Sequence, residues 1–569
     1  MQGSLRSVIG AAFALAMLAV APRAVAQAPA GCERVVAWSA CDVAFDLSAP
    51  ENTPQSTLRA EFRSPHYKTI LINAFHEGSK LVLRVAPTEV GVWTYRLISS
   101  VARLDGQNGQ IQAAASNAPG FVLVANIHHF QTGNFQNESS QSEEKKQHLW
   151  MGAPVPGFAA MPRAEFDRIV DQRAKDRFTH LQVTIDAGTN LDEAPERIRA
   201  INAKGMVADL ALASLPAESG ERQRYVADIV ARFCAFNITW AGITAFENTP
   251  HARAMLKDAG AEIQKLDSYA HPRTTLAAST ASPVAGTLTN DGWATLLSYG
   301  TANTDVGAVE HQFYALPGVN AGIQSRADLW NATMNGQYPG SGDGPYMKVW
   351  FDFLSASRYW ELEPYFDVEG GRAAALEGVE YLVYVEKPGT VNLKVENHGY
   401  DVLWMNPANG EVVKEKKEFK GEMFSAAPPD SSHDWVLRVS REGHKEGMLK
   451  SYRFTSAPVV MQEVELAPAK IPFEISAPEG EEISMSRPAK FALKLKRETK
   501  ATKSLLVEWT LEQPGGSEGF RVMGTGREGT FPFPRAILDK TTGVVSLRVN
   551  VVNALGKAYT LDKVYRLIP

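Results

Sequence analysis

Residues 225–247 read YVADIVARFCAFNITWAGITAFE, and the change of period inside this stretch decides how the middle of the chain folds. Tyr225, Ile229, Val230 and Phe233 recur at helical spacing and share one face. Beyond Cys234 the pattern becomes NITWAGIT, an apolar run of strand length that gives way to polar residues at Glu247. A helix followed at once by a buried strand is half of a βαβ repeat.

The same alternation extends in both directions, from about residue 146 to 372. HLWMG, LQVTID, MVADLALA, NITWAGIT and TTLAAS read as strands. Between them lie helices through EFDRIVDQR, through PERIRAINAK closed by Gly205, and through Met255, Ala259, Ile263 and Leu266. VGAVEHQFY reads as a sixth strand carrying Glu310. So many βα units in one run imply parallel strands and favour a (β/α)8 barrel over residues 128–375. No glycine-rich phosphate loop follows any strand, which argues against a nucleotide-binding sheet.

On both sides the texture is β. Residues 32–127 contain short alternating runs such as LVLRVAP and GVWTYRLIS and read as an N-terminal sandwich. Residues 376–462, with EYLVYVEKPGTVNLKV and DWVLRVS, read as a second sandwich. Residues 471–569 read as an immunoglobulin-like domain. The expected architecture is therefore a multidomain chain, a TIM-like barrel flanked by β-sandwich domains and ending in an immunoglobulin-like module.

Residues 1–26 pair an early Arg6 with an apolar stretch too short to span a bilayer, ending in Ala24-Val25-Ala26. This is the pattern of a cleaved signal peptide and implies a secreted or periplasmic protein; no other segment reads as a membrane span. A net charge of −5 and the lack of a long basic run argue against nucleic acid as a partner. The 3 cysteines are too few for a disulfide scaffold. Cys32 and Cys41 could bridge in an oxidising compartment, and Cys234 reads as a buried thiol. No cofactor motif is present. No metal site is expected either: His128 and His129 are adjacent, which in a strand sends their side chains to opposite faces.

Several stretches carry a family resemblance. VVAWSACDVAFDL, AFHEGSKLVLRVAPTEVGVWTYRL and GFVLVANIHHF resemble the N-terminal β-sandwich domain, of unknown function, that precedes barrels in exported bacterial glycan-degrading proteins. IVARFCAFNITWAGITAFEN, KLDSYAHPRTT, RADLWNATMNGQY and RYWELEPYFDV resemble the apiosidase-like glycoside hydrolases. YLVYVEKPG, DVLWMNPANGEVV and SSHDWVLRV resemble a C-terminal sandwich of the collagen-binding type. The resemblance covers most of residues 35 to 440 and implies a glycoside hydrolase acting on polysaccharide or oligosaccharide, with cell-surface association one of its settings.

Glycosidic cleavage needs two carboxyl groups, one to protonate the leaving oxygen and one to attack the sugar or activate water. The resemblance assigns the acid/base role to Glu247, in the loop leaving NITWAGIT. The family's nucleophile, a glutamate ending the seventh strand, falls in LPGVNAGIQSRADLW, where Asn320, Ala321 and Gln324 stand and no acid precedes Asp328. Glu310 is the candidate replacement. Asp186, ending LQVTID, could bind a sugar hydroxyl. Trp150, Trp240, His271 and Tyr338 are candidate substrate contacts, the aromatic rings because sugar C–H faces stack on flat side chains. Two readings follow: a hydrolase using Glu247 with a displaced partner, or a catalytically silent relative that binds glycan in the same cleft.

Overall fold

The computed structural model describes residues 32, 34–125, 127–134, 144–158, 160–186, 189–246, 249, 251–277, 291–441, 471–512, 521–533 and 543–569. The expected signal peptide and Glu247 lie outside them. The chain is multidomain and rich in strands.

At the centre are two parallel sheets. The first runs in the order Gly152–Pro154, His180–Ile185, Val207–Leu212 and Ile238–Ile243. The second runs Leu297–Tyr299, Gly318–Asn320 and Gln337–Pro339. Val207–Leu212 is buried at every position, as expected of a parallel strand covered on both faces. Helices Arg163–Lys175, Ala194–Ala203, Ser219–Phe233 and Ala252–Leu266 alternate with the first sheet. Helices Asp305–Glu310, Arg326–Met334 and Tyr346–Ser355 accompany the second.

Residues 272–276 stitch the two sheets together. On one side Trp240 N donates to Pro272 O (2.9 Å), Thr274 N to Trp240 O (2.8 Å) and Leu276 N to Ile243 O (3.2 Å). On the other, Thr295 N donates to Arg273 O at 2.8 Å. The far edges also approach, because a Cβ on Gly152 would stand 2.9 Å from the Gly340 carbonyl oxygen. No ladder joins those two edges among the described residues. Between the sheets, side chains including Trp150, Gln182, Asp209 and Val319 leave a cavity of only about 20 Å³, scarcely more than one water needs.

One stretch departs from the sequence reading. VGAVEHQFY is not a strand: Asp305–Glu310 is a short helix with Glu310 in its last turn. The strand before it is Leu297–Tyr299, only three residues long, too short to show a period. The first parallel strand likewise begins at Gly152, just beyond the HLWM of the expected run.

The N-terminal region contains a five-stranded sheet and a three-stranded sheet, and its core is continuous with that of the parallel sheets. Buried Arg84 sits at the seam. It pairs with both oxygens of Asp42 at 2.8 Å, donates to the Arg232 carbonyl, and lies over the rings of Phe75 and Phe236. Cys32 and Cys41 form a disulfide, closing a short loop at the start of this region. Leu123–Ala125, His129–Asn134 and Glu144–His148 then make a three-stranded antiparallel sheet, the antiparallel sheet 123–148, whose His148 meets His180 at the start of a parallel strand.

The third region is an eight-stranded antiparallel assembly with its own core around Trp404 and Trp435. It is fastened to the helix Arg326–Met334 by Arg326 bonded to both oxygens of Asp434, and by Trp330 stacked on Tyr384. The C-terminal region has two sheets, of three and five strands, around Trp509.

The turn Asp267–His271 locks the joint between the parallel sheets. The Asp267 carboxylate, with no exposed surface, accepts Trp240 Nε1 at 2.9 Å and the backbone N–H groups of Tyr269 and His271 at 3.0 Å. The His271 ring Nδ1 stands 3.1 Å from both of its oxygens. Burial alone would raise this acid's pKa, but the His271 ring and the hydrogen bonds outweigh it and hold the carboxyl below its usual range. A depressed carboxyl contributes stability above its unfolded pKa, near 4, and loses it as pH falls through the folded value. Asp267→Asn is expected to cost about 3 kcal/mol in urea unfolding at neutral pH. The gap between variant and parent should narrow as the pH is lowered below about 4.

Candidate functional site

In parallel α/β folds the reacting side chains gather where the strands end and the following loops converge. The strand Ile238–Ile243 reaches that end through a register shift opposite Leu210–Leu212. Gly242 takes a φ of 60°, and a Cβ there would meet the Thr274 carbonyl oxygen at 2.6 Å, so only glycine fits. The chain then turns through Thr244 and Ala245 to Phe246, whose N–H donates to Leu276 O at 3.2 Å. Thr249 N bonds back to Phe246 O at 3.0 Å. The two flanks of Glu247 are thus held beside the end of the 272–276 stretch.

Asp186 is exposed at the end of His180–Ile185. It organises its own turn: its N–H donates to Thr189 Oγ1 at 2.9 Å, and Thr189 Oγ1 donates back to its carboxylate at 3.1 Å. Asp343, in the loop after Gln337–Pro339, is largely exposed and paired with Arg173 at 2.6 Å. Asp291, by contrast, is buried against Arg253 and Lys257 at 3.3 Å.

At the end of Gly318–Asn320 the structure has no acid. Asn320 is completely buried; its Nδ2 donates to Gln337 Oε1 at 2.8 Å and its Oδ1 accepts Gly322 N at 2.7 Å. The next carbonyl, Ala321 O, accepts Ser341 Oγ at 2.6 Å. Both ends of the amide are committed to holding neighbouring backbone and strand.

The other sequence candidates do not assemble at this end. Trp150 precedes the first parallel strand, is 3% exposed, and stacks on His180 with ring centres 3.4 Å apart. Tyr338 is 7% exposed and its hydroxyl meets His129 Nδ1 at 2.6 Å. Trp240 is spent on Asp267, and His271 has no exposed surface. In this structure all four are engaged with neighbouring side chains: Trp150 with His180, Tyr338 with His129, and Trp240 and His271 with Asp267. Sequence spacing alone could not distinguish a ring at the N-terminal end of a strand from one at its C-terminal end.

Glu310 is also displaced from the expected mouth. It is 2% exposed in its helix and faces Glu508 of the C-terminal region, itself 1% exposed, with Tyr299 alongside. Asn550 Nδ2 donates to Glu508 Oε2 at 3.0 Å, and Thr560 Oγ1 supports Asn550 at 2.9 Å. Burial, and for Glu310 the neighbouring carboxyl as well, pushes both acids above their usual range. Residues nearly 200 positions apart meet here, so nothing in the local sequence marks the pair.

A second cluster was missed altogether. His128 and His129, expected to diverge, both turn toward Glu363, at 3.1 and 3.6 Å. His311 Nε2 contacts the same carboxylate. The divergence fails because His128 lies in a turn, after Ile127 with a φ of 60°, and only His129 belongs to a strand.

No family model matches the sequence, and no curated protein matches it. Its structural neighbours include glycoside hydrolases. A candidate glycoside hydrolase from Bacteroides vulgatus aligns over 72% of this chain and 99% of its own, with a TM-score of 0.58 at 15% identity. Pullulanase from Anoxybacillus sp. LM18-11, solved with maltotriose, covers 70% of this chain and 84% of its own at 9% identity and a TM-score of 0.31. A β-arabinopyranosidase covers 71% and 81% at 10% identity and a TM-score of 0.32. The first of these establishes a glycoside hydrolase-like fold, and the other two are too distant to add to it.

The buried acid pair has a pH consequence. Raised acids bind more protons in the folded chain than in the unfolded one, so their stabilising contribution is complete below about pH 4 and lost as pH rises through the folded values. Melting of the parent should therefore fall more steeply between pH 5 and 9 than melting of Glu508→Gln, which keeps one neutral partner throughout. Equal slopes would overturn the reading that the two carboxyls are raised by burial and by each other.

Proposed function

We propose that this chain is an exported carbohydrate-binding protein, with a closed (β/α)8 barrel of apiosidase-like type whose mouth recognises glycan without retaining hydrolysis. The observation that carries this reading is Asn320. Where the related hydrolases place a nucleophilic carboxylate, this chain has a buried amide with both ends engaged, and an amide so held cannot attack a sugar. Glu247 then serves as a polar contact to sugar hydroxyls. The Cys32–Cys41 disulfide supports an oxidising, exported setting, in line with the signal-peptide pattern. The flanking β domains, including the immunoglobulin-like tail, fit a protein that displays its barrel at or near a cell surface.

One observation favours a second reading. Asp186 and Glu247 follow strands separated by one intervening strand, and two strand spacings amount to about 10 Å. That is close to the separation of an inverting acid and base, and too wide for a retaining pair. In this reading Glu247 protonates the leaving oxygen and Asp186 activates water on the opposite face of the sugar.

Affinity electrophoresis and reducing-sugar release on a panel of pectic and hemicellulosic glycans distinguish the two. Binding without release, with Glu247→Gln weakening binding only severalfold, is the expected result. Release that disappears in both Glu247→Gln and Asp186→Asn would establish the inverting hydrolase instead. Absence of both binding and release across the panel would sink the carbohydrate reading.

A further inference from the structure

Near the N-terminal ends of the parallel strands, His128, His129, His311 and Glu363 converge from three segments far apart in sequence. His128 Nδ1 lies 3.1 Å from Glu363 Oε2, His129 Nε2 lies 3.6 Å from Oε1, and His311 Nε2 contacts Oε2. The donor atoms of His128, His311 and Glu363 all fall within 4.8 Å of one another.

The hydrogen-bond directions show what the cluster lacks. His128 Nε2 is 3.0 Å from the Tyr314 carbonyl oxygen, which can only accept, so Nε2 carries the ring hydrogen. In a neutral ring Nδ1 then presents a lone pair, and it faces a carboxylate oxygen that also presents one. Two lone pairs about 3 Å apart repel unless a positive charge lies between them. His129 Nε2 is buried with no hydrogen-bond partner, and it offers a further lone pair in the tautomer whose Nδ1–H donates to the Tyr338 hydroxyl oxygen. The site therefore brings a carboxylate and two imidazole nitrogens within 4.8 Å of one another, with His129 Nε2 beside the other carboxylate oxygen at 3.6 Å.

We propose that His128 Nδ1, His311 Nε2 and a Glu363 oxygen, with His129 Nε2 as fourth ligand, bind a divalent zinc-like cation. Imidazole nitrogen with one carboxylate is the donor set that such borderline ions prefer. Four ligands at about 2.1 Å in a tetrahedron stand roughly 3.4 Å apart, between the direct His311–Glu363 contact and the 4.8 Å that bounds the cluster, so binding the ion would spread that contact. Each of the two N-terminal rings also has the outer partner that a ligating histidine needs. The Tyr314 carbonyl orients His128, and the Tyr338 hydroxyl orients His129. The His311 ring reaches the site because residue 336 is glycine, where a Cβ would stand 2.4 Å from His311 Nδ1. Nearly half of the Glu363 side-chain surface is exposed, which leaves the ion a way in.

The position indicates what the ion does. It ties the antiparallel sheet 123–148, the turn after helix Asp305–Glu310 and the strand Glu363–Tyr365, which opens the third region, into one joint. It is a structural staple, on the side of the fold away from the C-terminal ends of the parallel strands.

The test uses untagged full-length protein freed of metal by chelator. Calorimetric titration with Zn2+ should give one site per chain, elemental analysis after gel filtration should find one zinc retained, and melting should rise with zinc. Co2+ should give the visible d–d bands of a four-coordinate N/O site. Glu363→Gln should abolish saturable binding, Tyr338→Phe should weaken it roughly tenfold or more, and His148→Ala, at a half-buried histidine paired with His180, should leave it unchanged. Should Glu363→Gln fail to fold, the parent's Co2+ spectrum and zinc stoichiometry decide alone. No retained zinc and no Co2+ bands in the parent, or unchanged binding in folded Glu363→Gln, would overturn the proposal and leave the cluster as imidazoles and a carboxylate sharing protons.

Discussion

The central fold depends on one buried carboxylate. Asp267 collects an indole N–H, two backbone N–H groups and an imidazole within a single turn. In doing so it fixes residues 272–276 against the strand that carries Trp240. Those residues are the only hydrogen-bonded bridge between the two parallel sheets among the described residues. The same turn reaches outward, because the Tyr269 hydroxyl accepts Ala86 N at 2.8 Å and so holds the N-terminal region. An ion this deeply buried is costly unless every lone pair is met, and here they are.

The other buried charges follow the same logic at the remaining seams. Arg84 joins the N-terminal region to helix Ser219–Phe233, and Glu380 with Arg438 fastens the third region to the end of helix Tyr346–Ser355. Glu310 and Glu508 meet where the C-terminal region packs on the short helix Asp305–Glu310. These groups direct assembly through geometry: a misplaced polar partner leaves a desolvated charge, a larger penalty than a misplaced methyl group. The loops beyond the strand ends are different in part: Asp186 and Asp343 are exposed there, and Asp343 is paired with Arg173.

Much of the central pattern was legible because its helices are long and amphipathic. The helix through Tyr225, Ile229, Val230 and Phe233 and the strand NITWAGIT have lengths and periods that leave little ambiguity. The second parallel sheet was harder, since strands of three residues carry no period and VGAVEHQFY is apolar enough to pass for a strand. The site shows the same division. A missing acid in LPGVNAGIQ is visible as a string of letters, whereas the burial of Trp150, Trp240 and His271 depends on what covers them.

From the sequence alone came the order of βα units, the β texture on either side, the position of Glu247 after a buried strand, and the absence of a carboxylate at Asn320. These are local properties, set by period, length and residue type. Only the tertiary structure decided that Glu310 turns away to meet Glu508, that Trp150 and Tyr338 lie under an antiparallel sheet, and that His128, His129 and His311 all reach Glu363. Such convergences join residues tens to hundreds of positions apart, and they arise from how layers pack, which no local period encodes.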